Sequence, residues 1–301
     1  MARKRKGDKI DGWLIVDKPL ELSSADVVRI VKRQLKPQKI GHAGTLDPLA
    51  TGVLPIGMGE ATKTMPYIVD QSKDYEFSVK WGEATSTDDK EGEVTQTSDV
   101  RPEPEDIEKI LSEFVGEIEQ IPPIYSAIKI DGQRAYKRAR AGEDIEMPAR
   151  IVSIDKLTLL EHSPESAETS FFVSCGKGTY VRALGRDIAI KLGTVAHIVS
   201  LRRTRVGPFS QDSAISLDLL NDMSHIARVY EEILPVMTAL DDISALAISA
   251  KDADLIRNGQ PLFQSVDIDG PIVLTEDKKL VAIAHVSDGQ ISPKRVFNLA
   301  K

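Results

Sequence analysis

The chain is poor in cysteine, with Cys175 alone among 301 residues. An intrachain disulfide is therefore excluded. No Cys/His cluster has the spacing of a zinc site either, and both absences point to a reducing, cytoplasmic setting. Long apolar runs are missing as well. After the basic Arg3-Lys4-Arg5-Lys6 the apolar stretch Trp13 to Val16 is cut by Asp17, too short for a signal-peptide core. Nowhere do about 18 apolar residues run together, so no membrane span is expected. There is no internal repeat and no low-complexity tract. What remains, 41 % hydrophobic and 28 % charged, is the composition of a soluble globular protein. The length exceeds what one core usually supports, which predicts a large domain with a small appendage.

Net positive charge is also lacking: the chain carries −7. That sum hides a strong segregation. Met1 to Ile40 holds 11 Lys/Arg against 5 Asp/Glu, and Cys175 to Phe209 holds 7 against Asp187 alone. Tyr125 to Gly142 adds Lys129, Arg134, Lys137, Arg138 and Arg140 against only Asp131. Three basic segments in an otherwise acidic chain can present one positive face to a phosphate backbone, although solvated helix faces produce such clusters too.

Periodicity gives the elements. Trp13 to Val16 reads as a buried strand, and Ser24 as the N-cap of a helix with the stripe Val27, Val28, Ile30, Val31 and Leu35, ended by Pro37. Asp74 to Trp81 alternates Tyr75, Phe77, Val79 and Trp81 with polar residues, the pattern of a half-buried strand. Thr85 to Gly92 is polar enough for a loop, and Glu105 to Val115 has helical spacing closed by Gly116. Phe171 to Cys175 reads as a strand turning at Gly176-Lys177-Gly178. Val181, Leu184, Ile188 and Leu192 then mark a helix stopped by Gly193, with Arg182 and Arg186 on a common face away from that stripe. The class is α/β or α+β, with strands and helices mixed. Near Ala239 to Ser244 the character changes. A short helix from Lys251 to Asn258 and the strands Ile272 to Leu274 and Leu280 to Val286 predict a small β-rich module.

The most informative stretch is Gly41-His42-Ala43-Gly44-Thr45-Leu46-Asp47-Pro48-Leu49-Ala50-Thr51-Gly52-Val53-Leu54-Pro55, five glycines or prolines around one acid. By local chemistry alone Asp47 before Pro48 is a turn former. The longer run from Gly41 to Lys63, including Gly57-Met58-Gly59-Glu60-Ala61-Thr62-Lys63, resembles the signature of the TruB family, the bacterial tRNA pseudouridine-55 synthases. The likeness continues through Asp17-Lys18-Pro19, Lys73-Asp74-Tyr75, Thr85-Ser86-Thr87-Asp88-Asp89 with Gly92, Tyr125-Ser126-Ala127-Ile128-Lys129, Gly176 to Arg182, and Leu201-Arg202-Arg203-Thr204. Glu21 departs from it, standing where the family's Asp-Lys-Pro motif usually continues to glycine.

The resemblance implies a mixed-sheet pseudouridine synthase catalytic domain over 1–243, with an RNA-clamping insertion between Thr85 and Arg150, and a small PUA-like RNA-binding domain over 244–301. It implies Asp47 as the essential carboxylate and Tyr75 as the tyrosine against the target base, able to take a proton. Arg182 is implied as the partner of Asp47, Tyr180 and Leu201 as walls of the uracil pocket, and His42 as the side chain that fills the space left by the flipped base. Lys18, Lys129, Lys177, Arg202 and Arg203 are candidates for phosphate contacts or for bracing the pocket. The implied substrate is the tRNA T-arm, with no cofactor, no metal, no membrane and no obligatory protein partner. Two alternatives stay open on the residues: a synthase acting on another RNA, including guide-dependent relatives, and an RNA chaperone in which catalysis is secondary.

Overall fold

The computed structural model describes residues 7–126, 128–130, 132–143, 145–221, 226–264 and 266–299. The basic run Arg3 to Lys6, Ala127 and Asp131 lie outside them, as do the side chains of Tyr136, Arg140 and Asn221.

A ten-stranded mixed sheet forms the body. From edge to edge it runs Ile215–Ser216, Gly12–Lys18, Ala50–Met58, Ala196–Val206, Lys73–Trp81, Glu168–Cys175, Arg150–Ser163 and Gly116–Gln120, with Ile40–His42 and Phe209–Ser210 as side branches. One face carries Leu14, Val16, Leu54, Ile56, Phe77, Val79 and Phe171, covered by the helices Ser24–Leu35 and Val181–Lys191. Val27, Val31 and Leu35 are 0–1 % exposed, as their four-residue spacing predicts. Each such side chain contributes roughly 1.5–3 kcal/mol when removed from water.

The expected N-cap is displaced by one residue. Ser23 caps the helix, its side chain accepting from the Asp26 N–H while Asp26 accepts from the Ser23 N–H. Asp26 at the third helical position is the acid such a reciprocal cap requires. Ser24 is instead inside the helix and buried, and its hydroxyl serves the loop that carries Asp47. The predicted helix from Glu105 becomes Pro104–Leu111 followed by a tighter turn, Ser112–Phe114. The polar segment from Thr85 is loop only in part: Glu83–Thr85 pairs with Val94–Thr97, and Asp89 is 3 % exposed. Arg182, on the helix Val181–Lys191, is buried as well, at 5 % exposure.

The C-terminal sheet is ordered Ala245–Ala247, Gly270–Glu276, Lys279–Ser287, Gln290–Val296, Leu262–Phe263, with the helix Ala250–Arg257 packed on it through Ala253 and Ile256. Its other side shares a cluster with the main sheet, in which Val273, Ile283 and Phe297 meet Trp13, Ile15, Val53 and Phe209. Two hydrogen bonds fasten this contact, from Lys63 Nζ to the Val296 carbonyl (2.7 Å) and from the Asn298 N–H to Glu60 (2.7 Å). No helix among the described residues is long and apolar enough to cross a membrane.

Candidate active site

Asp47 lies on the loop between Ile40–His42 and Ala50–Met58, and the loop is held from below. Ser24 Oγ accepts from the Leu46 N–H (2.8 Å) and donates to the Leu46 carbonyl (3.0 Å). The Pro48 carbonyl accepts from the Glu21 N–H (2.9 Å) and from Lys18 Nζ (3.3 Å). Glu21 has φ +70°, a left-handed conformation that favours glycine. The glycine expected there has a structural reason, and this chain places glutamate in the same turn.

The Asp47 carboxylate is 41 % exposed and faces the Arg182 guanidinium at 3.0 Å. Arg182 also reaches the buried Asp89 carboxylate at 3.2 Å, and donates to the carbonyls of Thr87 (2.8 Å) and Tyr125 (2.9 Å). One desolvated cation therefore joins the loop of Asp47, the segment after Thr85 and the backbone at Tyr125. Four residues along the helix, Arg186 repeats the pattern with Asp88 (2.9 Å) and the Ile121 carbonyl (2.7 Å). Burial pushes the Asp88 carboxyl up, and Arg186 and Arg182 oppose it. Asp89 was legible only as part of a motif, because nothing in the polar segment Thr85 to Gly92 marks one acid as buried.

Lys18 is fully buried, and its ammonium donates to the carbonyls of Leu22 (2.7 Å), Pro19 (2.9 Å) and Pro48 (3.3 Å). Desolvation lowers its pKa to about 8, with Asp47 opposing. It braces the loop and makes no surface for phosphate. Lys73 is similar: 7 % exposed, its ammonium capping the Val69 (2.6 Å) and Gln71 carbonyls, its pKa lowered by burial to about 8.

Tyr75 occupies the expected strand, with Arg203 opposite it on one side and Val173 on the other. Burial raises its phenol pKa, while the charge and hydrogen bonding of Arg203 pull it down. Leu201 is 8 % exposed and registers against Phe77 and Ala50. Tyr180 caps the start of Val181–Lys191, its N–H donating to Gln120 Oε1 (2.8 Å), and its ring packs on a small cluster of Ile128, Ala135, Ile145 and Met147. His42 is half-buried, and its Nδ1 has no partner. Burial, then the nearby Arg203, lowers its pKa, so it is kept as the neutral imidazole.

The remaining cations divide. Arg203 is buried at 1 % exposure, whereas Arg202 forms a two-pronged pair with Asp17 (3.0 and 2.9 Å). Lys177 is exposed beside Asp70 (3.1 Å), and Lys129 is exposed. Among the described residues no three His, Cys, Asp or Glu side chains gather to hold a metal ion.

Three family models cover this chain in succession. Residues 32–181 match the TruB family pseudouridylate synthase N-terminal domain, 182–244 the tRNA pseudouridylate synthase B C-terminal domain, and 244–297 the pseudouridine synthase II TruB C-terminal model. The chain is 48 % identical to tRNA pseudouridine synthase B of Caulobacter vibrioides, over 99 % of this chain and 100 % of the relative. It is 46 % identical to the protein of that name from Rhodospirillum rubrum, with the same coverage. Among solved structures, a Cbf5-Nop10-Gar1 complex contains a chain that superimposes with a TM-score of 0.73 at 25 % identity, over 95 % of this chain and 84 % of the other. An H/ACA RNP bound to a substrate RNA with 2'-deoxyuridine shares the fold, with a TM-score of 0.74 at 21 % identity over 99 % of this chain and 92 % of the other. With these matches laid over the geometry around Asp47, the chain belongs to the TruB family of pseudouridylate synthases and is an isomerase.

Proposed function

We propose that this enzyme converts the uridine at position 55 in the T-loop of tRNA to pseudouridine, with Asp47 as its essential carboxylate and without a cofactor. The reaction breaks the N1–C1' bond, forms C5–C1', removes the C5 proton and adds one at N1. It transfers no electrons between molecules. A carboxylate serves such chemistry by attacking, or by stabilising positive charge that develops on the sugar. The observation that carries the reading is the Asp47–Arg182 pair, in which a buried guanidinium holds a carboxylate that is itself open to solvent.

The target nucleotide must leave its stack for both sugar and base edges to be reached, a step costing a few kcal/mol and easier in a loop with splayed bases. Neutral, half-buried His42 is suited to filling the vacated space, and Tyr180 and Leu201 to walling the uracil. Tyr75 stands against the base and accepts the proton that leaves C5. The exposed Lys129, Arg134 and Lys137 of the insertion grip the T-arm, and the C-terminal module, read as PUA-like, adds RNA contact. Full-length identity of 46–48 % to curated tRNA enzymes, against 21–25 % to the H/ACA neighbours, favours tRNA and action without a protein partner.

The test is purified protein with unmodified tRNA, the product mapped by chemical labelling. Wild type should modify the T-loop alone, and Asp47→Asn should lose at least about 10³-fold in rate, the scale of removing an essential catalytic side chain. Product outside the T-loop would overturn the substrate assignment. An undiminished Asp47→Asn would overturn the mechanism, whereas a variant that loses product formation yet keeps its effect on RNA folding would favour the chaperone reading.

A further inference from the structure

Arg203 is among the largest fully buried side chains of the molecule, and among the described residues no carboxylate pairs with it. A cation out of water without a counter-ion is costly, and groups of this kind gather where function needs them. Its guanidinium is fixed from two directions. Nε donates to the Val53 carbonyl (2.8 Å) and Nη2 to the Gly44 carbonyl (3.0 Å), both belonging to the segment that carries Asp47. Gly44 (φ +91°) and Gly52 (φ +101°) admit it: a Cβ on the first would lie 3.3 Å from Nη1, and one on the second 2.1 Å from the Arg203 carbonyl oxygen. Gly44 thus leaves room for the guanidinium, and Gly52 lets the two strand backbones approach closely at Arg203.

The neighbouring strand sets Tyr75 directly opposite Arg203, so both side chains leave the same face of the sheet. The other ionisable groups around the pair are committed elsewhere. Asp47 faces Arg182, while Lys18 and Lys73 donate to backbone carbonyls. Cys175, on the strand beyond Tyr75, is a buried thiol pushed up to about 12 by desolvation, and His42 is held neutral. Tyr75 is the group left to answer the Arg203 charge.

We propose that Arg203 is a positioning residue for Tyr75, holding the phenol toward the uracil and serving as its counter-charge while the hydroxyl is ionised. The inference rests on the reading of Tyr75 as proton acceptor. The Tyr75 O–H bond first breaks, its proton passing to solvent. The phenolate, paired with Arg203, then takes the proton from C5 once the C5–C1' bond has formed. The C–H electron pair restores the C5–C6 double bond, and a proton from solvent completes N1–H. Without Arg203 the burial that already raises the phenol would act unopposed, and each further unit costs tenfold in ionised fraction at neutral pH.

The experiment is the pH dependence of tRNA conversion by full-length wild type, Arg203→Gln, Arg203→Lys and Tyr75→Phe. Arg203→Gln should lower kcat about 10- to 100-fold near pH 7, with KM within about twofold, and the deficit should shrink as pH rises toward about 10. Arg203→Lys keeps the charge, so its profile should be displaced less. A folded Arg203→Gln with wild-type kcat, or with a deficit equal at every pH, overturns the proposal. Should that variant not fold, Arg203→Lys decides: a profile displaced to higher pH supports the assignment, and a lowered but undisplaced one refutes it. Tyr75→Phe separates the two readings. Full activity there removes Tyr75 as acceptor and this inference with it, whereas an inactive Tyr75→Phe beside a pH-independent Arg203→Gln deficit removes only the role of Arg203.

Discussion

The floor of the site and the insertion beside it both concentrate Lys and Arg, and they use that charge in opposite ways. In the floor, Lys18, Lys73, Arg182 and Arg203 are 0–7 % exposed, and backbone carbonyls take their N–H groups. In the insertion, Lys129, Arg134 and Lys137 point into water. Charge out of water acts at short range, fixes geometry and shifts neighbouring pKa values. Charge in water is screened within about 10 Å at moderate salt and serves long-range attraction to phosphate. Equal-looking segments of sequence therefore divide into a buried scaffold and a solvated basic surface.

That division can be broken most forcefully at Arg182. Arg182→Gln strips the cation from Asp89, whose side chain is 4 % exposed, and should cost about 3–5 kcal/mol in denaturant unfolding along with most of the activity. A loss under about 1 kcal/mol would mean that packing alone maintains the floor. A smaller effect, of a different kind, is expected from the insertion. Lys129→Ala, Arg134→Ala and Lys137→Ala combined should flatten the slope of log affinity against log salt by about 2–3, raising KM more than it lowers kcat. An unaltered slope would move the phosphate contacts elsewhere. The smallest change tests the loop backbone. Glu21→Gly relieves a left-handed glutamate and should stabilise the fold by about 1 kcal/mol, read as a higher Tm; a lower Tm would show that the glutamate side chain holds the turn.

Much of this arrangement was readable along the chain. Tyr75, Phe77, Val79 and Trp81 alternate as a half-buried strand must, and Val27, Val31 and Leu35 recur at helical spacing, because both patterns record one face meeting one core. The cap at Ser23 was readable too, had Asp26 been counted as its reciprocal partner. The strand Ala196–Val206 was harder: with Arg202, Arg203 and Arg205 it has the composition of a solvated segment. Those three arginines end in different surroundings, one forked on Asp17, one buried against carbonyls and one forked on Asp74.

The sequence by itself determined the local elements and, through its motifs, which residues gather around Asp47. Only the tertiary structure decided which charges lose their water, since desolvation depends on neighbours far away in the chain. Arg182 meets Asp47 from 135 positions off, and Arg203 meets Val53 from 150. No window of local sequence holds both partners, so the burial that gives these cations their strength is a property of the folded sheet.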